Sequence, residues 1–257
     1  MIESLSARYS LHPCFPTADG CTKVWRYMDF TKFVSLLDST ALFFSRADRL
    51  SDAWEGAHTE ENRRQRPTII RVGEGETVEE MMDGVSQFHR SLRLHTFVNC
   101  WHLNDVESAA MWKLYVSHNE GIAVQTTFER LVGSFQGDES DMFDVYVGKV
   151  SYLDYEHDAF PEGNTFVPFL HKRRSFEHEH ELRAIIQPIL AGGRPLTDIH
   201  PFADGLLVEV DLRMLIEHIY VAPTSEAWFA ALVENTTKKY GLVGSVRHSD
   251  MIRDPLY

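Results

Sequence analysis

Apolar residues in this chain gather into short runs of strand length that alternate irregularly with a few stretches of helical period, and that pattern admits few architectures. Residues 24–28, 41–45, 96–101 and 122–126 read as strands, as do 145–152, 182–189, 206–210 and 219–222. Asp29 can cap a helix in which Phe30, Phe33, Leu36 and Leu37 share a face. Thr77 and Glu80 stand at capping-box spacing before Val78, Met81, Met82, Val85, Phe88 and Leu92. Ser108 opens a short helix through Met111, Trp112 and Tyr115, and residues 225–240 form a last helix stopped by Gly241. Helices do not follow every strand, so the expected fold is α+β: one mixed domain whose mostly antiparallel sheet, continuous or split, is flanked by helices. Neither a Gly-x-Gly-x-x-Gly nor a Walker loop occurs, which removes the usual nucleotide-fold signals.

Residues 1–23, with Pro13, Pro16 and Gly20, read as an irregular lead-in, and 24–257 as the single domain. The charge-rich stretch 59–67 is expected to be a solvated helix or loop. With 25 Lys and Arg against 38 Asp and Glu, the net charge of −13 opposes approach to phosphate backbones and anionic lipid. General nucleic-acid binding and membrane partners are therefore not expected, and a small-molecule ligand is. No apolar run approaches the roughly 18–20 residues that span a bilayer, and the first residues lack the order of a signal peptide, so a cytoplasmic location is expected. Cys14, Cys21 and Cys100 are an odd, sparse set that fits reduced thiols. Cys14 and Cys21 with His12 lack a second tight ligand pair, so no structural metal is expected.

The densest chemical signal is Lys172-Arg173-Arg174-Ser175-Phe176-Glu177-His178-Glu179-His180-Glu181-Leu182-Arg183. In an extended conformation Glu177, Glu179 and Glu181 would share one face, about 6 to 7 Å apart, and repel. Arg26, Arg173, Arg174, Arg183 or a bound metal would relieve them. A solvated charged edge whose repulsion water screens is the alternative. Arg26 lies between Trp25 and Tyr27, where a guanidinium held between rings is oriented for a carboxylate or phosphate; covering the aromatic surface is its ordinary role. Asp52-Ala53-Trp54-Glu55-Gly56 places two acids in a turn, where a capping aspartate beside a packed ring explains the pattern as well. His102, with Asn104 and Asp105, stands at a strand end where it can line a cleft. Cys100 and His102 are two apart and do not by themselves make a nucleophile pair. Met111, Trp112 and Tyr115 are at core spacing.

These residues resemble the bacterial family called domain of unknown function twenty-nine seventy-one. The resemblance rests on Trp25-Arg26-Tyr27, Phe43-Phe44-Ser45 leading into Asp52-Ala53-Trp54-Glu55-Gly56, Cys100-Trp101-His102 and Met111-Trp112-x-x-Tyr115. It continues through Gly121-Ile122-Ala123, Val150-Ser151-Tyr152 and residues 176–183, with Ala53 where many relatives carry proline. Bacterial families of this kind often accompany phage-defence or toxin systems. A weaker resemblance, in chain order, is to ADP-ribosyltransferases of the arginine-serine-glutamate type: Arg26, then the strand through residues 99–102, then Glu179-His180-Glu181. It implies that Arg26 holds a phosphate of NAD, Glu181 binds the nicotinamide ribose and stabilises an oxocarbenium charge, and Glu179 orients the acceptor. Cys100-Trp101-His102 departs from the Ser-Thr-Ser that such enzymes carry there.

The candidate set is accordingly Glu181 and Glu179 as catalytic groups, Arg26, Tyr27, His102 and Trp112 as contacts to NAD, and Asp52, Glu55 and Arg183 as further cleft residues. The leading expectation is an NAD-using ADP-ribosyltransferase or NAD-cleaving enzyme. The alternatives are a metal-dependent hydrolase built on His178 or His180 with Glu177, Glu179 or Glu181, and a non-catalytic sensor or interaction domain.

Overall fold

The computed structural model describes residues 4–69, 75, 77–116, 119–139, 141, 143–190, 194–195, 204–242, 244 and 246–252. Chain order begins β1 (Ser4–Leu5), β2 (Arg8–Tyr9), β3 (Lys23–Asp29), α1 (Phe30–Ser39), β4 (Ala41–Arg46), α2 (Glu60–Ile69) and α3 (Val78–Leu94). It continues through β5 (Phe97–Leu103), α4 (Ala109–Tyr115), β6 (Gly121–Thr127), α5 (Phe128–Gly133), β7 (Asp144–Lys149), β8 (Ser151–Leu153) and β9 (His171–Arg173). The last elements are β10 (Glu181–Ile186), β11 (Ile189–Leu190), β12 (Arg194–Pro195), β13 (Gly205–Glu209), α6 (Leu212–Leu215), β14 (His218–Val221), α7 (Ala227–Lys239) and β15 (Val246–His248). This is a mixed sheet flanked by helices, a single α+β domain.

Local sequence accounts for the helix starts. Asp29 Oδ1 accepts from Lys32 N–H at 2.8 Å, satisfying one orphan donor of α1. Thr77 and Glu80 close a reciprocal capping box on α3. Ser108 caps α4 through Met111 N–H. Among the described residues no helix is long and apolar enough to cross a membrane.

The main sheet has eleven strands, and β5 is its hub. One edge of β5 pairs antiparallel with β10 along its length, from Phe97 opposite Ile186 to His102 opposite Glu181. On the other edge β4 pairs only with Phe97 and Val98, and β3 only with His102 and Leu103. Asn99, Cys100 and Trp101 therefore face no strand there, and the sheet opens between β3 and β4. The Asn99 side-chain amide fills part of the opening by donating to the Phe43 carbonyl at 2.8 Å. On one sheet face Val24, Met28, Phe97, Trp101, Leu182, Ala184 and Ile186 join Phe33, Leu36 and Leu37 of α1 in the main core. Each of the Val, Leu, Ile, Phe and Met side chains among them stabilises the fold by about 1.5–3 kcal/mol when fully buried.

Three expectations are corrected. Residues 1–23 are not merely an irregular lead-in: β1 pairs with β13, β2 pairs with β7, and Ala7 and Phe15 are buried. The stretch 59–67 is not simply solvated, because α2 buries Asn62 and Arg66, the latter held by two hydrogen bonds to Glu162, both at 3.1 Å. Residues 145–152 are not one strand; pairing passes from β10 to β9 on either side of Val150.

The turn 52–56 is set by Gly56, whose φ of 71° is left-handed and whose missing Cβ would lie 2.4 Å from the buried Phe169 ring. Gly56→Ala should destabilise the protein by at least about 2 kcal/mol, from backbone strain plus the clash. Urea unfolding measures it; a loss below about 0.5 kcal/mol would contradict the strain.

Candidate functional site

The opening between β3 and β4 leads into a cavity of about 820 Å³. That volume falls within the range of small-molecule and cofactor sites. Its polar wall is an ion cluster. Arg183, fully buried on β10, donates from Nη1 and Nη2 to the two oxygens of Glu55 at 2.7 and 2.8 Å. Its Nε donates to Glu181 Oε2 at 2.6 Å, and Nη1 also to the Phe169 carbonyl at 2.8 Å. Lys172 Nζ, from β9, reaches Glu179 Oε2 and Glu181 Oε1, each at 2.6 Å, and Glu55 Oε1 at 3.4 Å. Three carboxylates thus share two cations, leaving one negative charge in excess when all are ionised.

Excess charge and burial divide the acids. Burial, reinforced by the neighbouring Glu181, pushes Glu179 up to about 7. Burial would also raise Glu181, but Arg183 and Lys172 outweigh it and hold that carboxyl well below its ordinary value. Burial alone would lower both cations; Glu181 and Glu55 reverse this and keep Lys172 and Arg183 above their usual ranges. Glu179 is the more accessible acid, its side chain 12% exposed against 5% for Glu181.

The cavity lining also carries a cation, Arg26. Register fixes the geometry: Trp25 and Glu181 both sit opposite His102, so these three share a face, and Arg26 points to the other. The cavity is nonetheless lined by Arg26, Trp101 and Leu36 from one face and by His102, Glu179 and Glu181 from the other, because the sheet is open between β3 and β4. Arg26 lies over the Trp101 ring, 5.9 Å from its centroid, and its Nη2 donates to the Phe43 carbonyl at 3.4 Å. Among the described residues it has no carboxylate partner, and Nη1 has no hydrogen-bond partner. Burial pulls Arg26 down to about 10, so this half-buried side chain stays charged at neutral pH. His102 Nδ1–H donates to the Glu179 carbonyl at 2.6 Å, leaving Nε2 buried and without a partner among the described residues; burial lowers its basicity.

Several expected site residues stand elsewhere. Residues 174–179 form a tight 3-10 turn and His180 is left-handed with φ 40°, so Glu177, Glu179 and Glu181 do not line one strand face. Arg26 and Arg174 do not neutralise the acids: Arg174 pairs with Asp158, and Arg173 with Asp52. Arg26 is not held between Trp25 and Tyr27, which pack behind the sheet in a separate apolar cluster. Trp112 is buried against Tyr27, with its indole N–H on Glu107, and Asp52 serves Arg173; neither lines the cavity. Asp52 Oδ1 also accepts from Trp54 N–H at 3.0 Å, and the part-exposed Trp54 ring packs edge-on against Tyr155 and beneath Arg173, as a capping aspartate beside a packed ring would. Asn104 and Asp105 do not line the cavity, whereas Tyr27, His102, Glu55, Arg183, Glu179 and Glu181 do. Sequence reasoning missed Lys172, Trp101 and Tyr115 as lining residues. Nothing in Lys172-Arg173-Arg174 distinguishes the first cation from its neighbours until β9 buries it. Cys100 also lines the cavity, and burial raises its thiol, which suits a reduced lining group better than a nucleophile.

Both Glu181 oxygens and Glu179 Oε2, which a metal would need, are engaged by Lys172 and Arg183. Among the described residues no three His, Cys, Asp or Glu side chains cluster to hold a metal. No protein-family model, curated protein or solved structure matches the chain.

Replacing Lys172 with Met should cost about 3–5 kcal/mol at pH 8, because three buried carboxylates would then face one guanidinium. Folding raises the proton affinity of Glu179 from the ordinary 4.5 to about 7. Stability carried by that proton is therefore present in full below 4.5 and is lost as pH rises through about 7. The Lys172→Met penalty should accordingly shrink toward pH 5. Urea unfolding at the two pH values checks this; equal losses would assign the effect to packing.

Proposed function

We propose that the cavity binds NAD and cleaves the bond between its nicotinamide and ribose, passing ADP-ribose to water or to an acceptor hydroxyl. One observation supports this above the others: a half-buried Arg26 with no counter-ion among the described residues and a net-negative Glu179–Glu181 cluster line the same 820 Å³ cavity. A ligand anionic at one end and cationic at the other complements it, and NAD carries a pyrophosphate and a positively charged nicotinamide ring.

In this proposal Arg26 holds a phosphate oxygen. As the C1′–N1 bond breaks, its electron pair leaves with neutral nicotinamide and positive charge develops at C1′. Glu181, kept ionised by Arg183 and Lys172, stabilises that charge more strongly in the transition state than in the ground state. The attacking hydroxyl gives its proton to Glu179, whose ionisation near neutrality suits a general base. Cys100-Trp101-His102 then substitutes hydrophobic packing and one imidazole acceptor for a hydroxyl-bearing strand.

The engagement of both Glu181 oxygens favours a second reading, a pocket that binds an anionic ligand without turning it over.

Incubation with NAD, followed by chromatographic measurement of released nicotinamide, separates the two. Turnover should rise with pH through about 7 as Glu179 loses its proton. Glu181→Gln should lower kcat at least about 100-fold, and Arg26→Gln should mainly raise KM, by about tenfold. NAD left intact, or turnover indifferent to Glu181→Gln, refutes catalysis; thermal stabilisation by NAD without turnover selects the binding pocket.

A further inference from the structure

The ion cluster contains one acid that the proposed chemistry does not use. Glu55 comes from the turn after β4, far in sequence from β9 and β10, yet it binds Arg183 through two hydrogen bonds. Its backbone is held as well: Glu55 N–H donates to the Asp52 carbonyl at 3.1 Å, and Gly56 packs against Phe169. Arg183 then has one direction left for Nε, and Glu181 Oε2 lies along it at 2.6 Å.

We infer that Glu55, acting through Arg183, is the positioning residue that holds Glu181 ionised and oriented, so that Glu179 is the carboxyl left to exchange a proton with the ligand. The catalytic use of that proton rests on the function proposed above; the division of charge does not. Three features carry the inference. Arg183 makes four hydrogen bonds and is fully buried, so it cannot swing toward Glu179. Lys172 donates to Glu179 and Glu181, each at 2.6 Å, and stands 3.4 Å from Glu55 as an ion pair. Glu181 consequently has two cationic partners, and Glu179, the more exposed of the two acids, has one.

The charged and titratable groups around Glu179 are Lys172 from β9, Glu181 from β10, His102 from β5 and Tyr115 from α4, with His178 and His180 beside it on its own turn. Among these, only Lys172 neutralises it directly. Glu55 reaches it at one remove, by occupying Arg183 and sharing Lys172.

Carboxyl carbon NMR on protein labelled at glutamate, with Glu179→Gln and Glu181→Gln to assign the signals, tests this without substrate. The unsubstituted protein should show Glu179 titrating near 7, with Glu181 ionised throughout. In Glu55→Gln, loss of one negative charge from the cluster should move the Glu179 midpoint down by about one pH unit. Glu55→Asp, which keeps the charge, should return it to within about half a unit of the wild type. Glu181 titrating near neutrality in the wild type overturns the inference, and so does an unmoved Glu179 midpoint in a folded Glu55→Gln protein. The wild-type spectrum decides the first point even where the variant fails to fold. With the expected titrations but no release of nicotinamide from NAD, the charge division stands and the proposed reaction fails; with release but an unmoved midpoint, the reverse holds.

Discussion

Burial of Arg183 is the constraint around which this molecule is organised. A guanidinium with no exposure is expensive to desolvate, and the cost is offset only if its donors meet acceptors of opposite charge in good geometry. Glu55 and Glu181 supply them, one from a turn after β4 and the other at the first position of β10. Satisfying one side chain thus ties together a turn, the Phe169 carbonyl and the strand that pairs with the whole length of β5. Lys172 extends the cluster to Glu179 and so sets the polarity of the cavity beside it.

The cavity in turn depends on a missing strand contact. Because β3 and β4 each cover only one end of β5, the middle of that strand is open, and side chains from opposite sheet faces border one space. A continuous sheet would have kept Arg26 and Glu181 apart, since alternation along β3 and the register of β5 point them away from each other. The same opening leaves a half-buried Arg26 over Trp101 with no counter-ion among the described residues, while the Glu179–Glu181 cluster that also lines the cavity carries excess negative charge. Separation of charge across a cavity of this size is what gives the site a direction.

Much of the secondary structure was legible in local residues. Asp29, Thr77 and Ser108 mark helix starts because a side-chain oxygen three residues before an orphan N–H needs no distant partner to act. The runs 24–28 and 182–189 announced strands for the same local reason, and the structure holds them as Lys23–Asp29 and Glu181–Ile186. The stretch before β10 did not behave that way. Its alternating acids suggested an extended edge, but the tight turn of residues 174–179 and the left-handed His180 fold it back so that Glu179 and Glu181 meet Lys172.

What the sequence by itself determined was the class of the fold, most of its strands and helices, and that Arg26, Glu179 and Glu181 were the residues to watch. These depend on periodicity, capping and charge density, which act within a few residues of one another. Only the tertiary structure decided that Lys172 rather than a neighbouring arginine joins the acids, that Trp112 and Asp52 stand outside the cavity, and that Glu55 holds Arg183. Those outcomes follow from strand register and from where the sheet opens, and each sums contacts between segments many residues apart that no local pattern encodes.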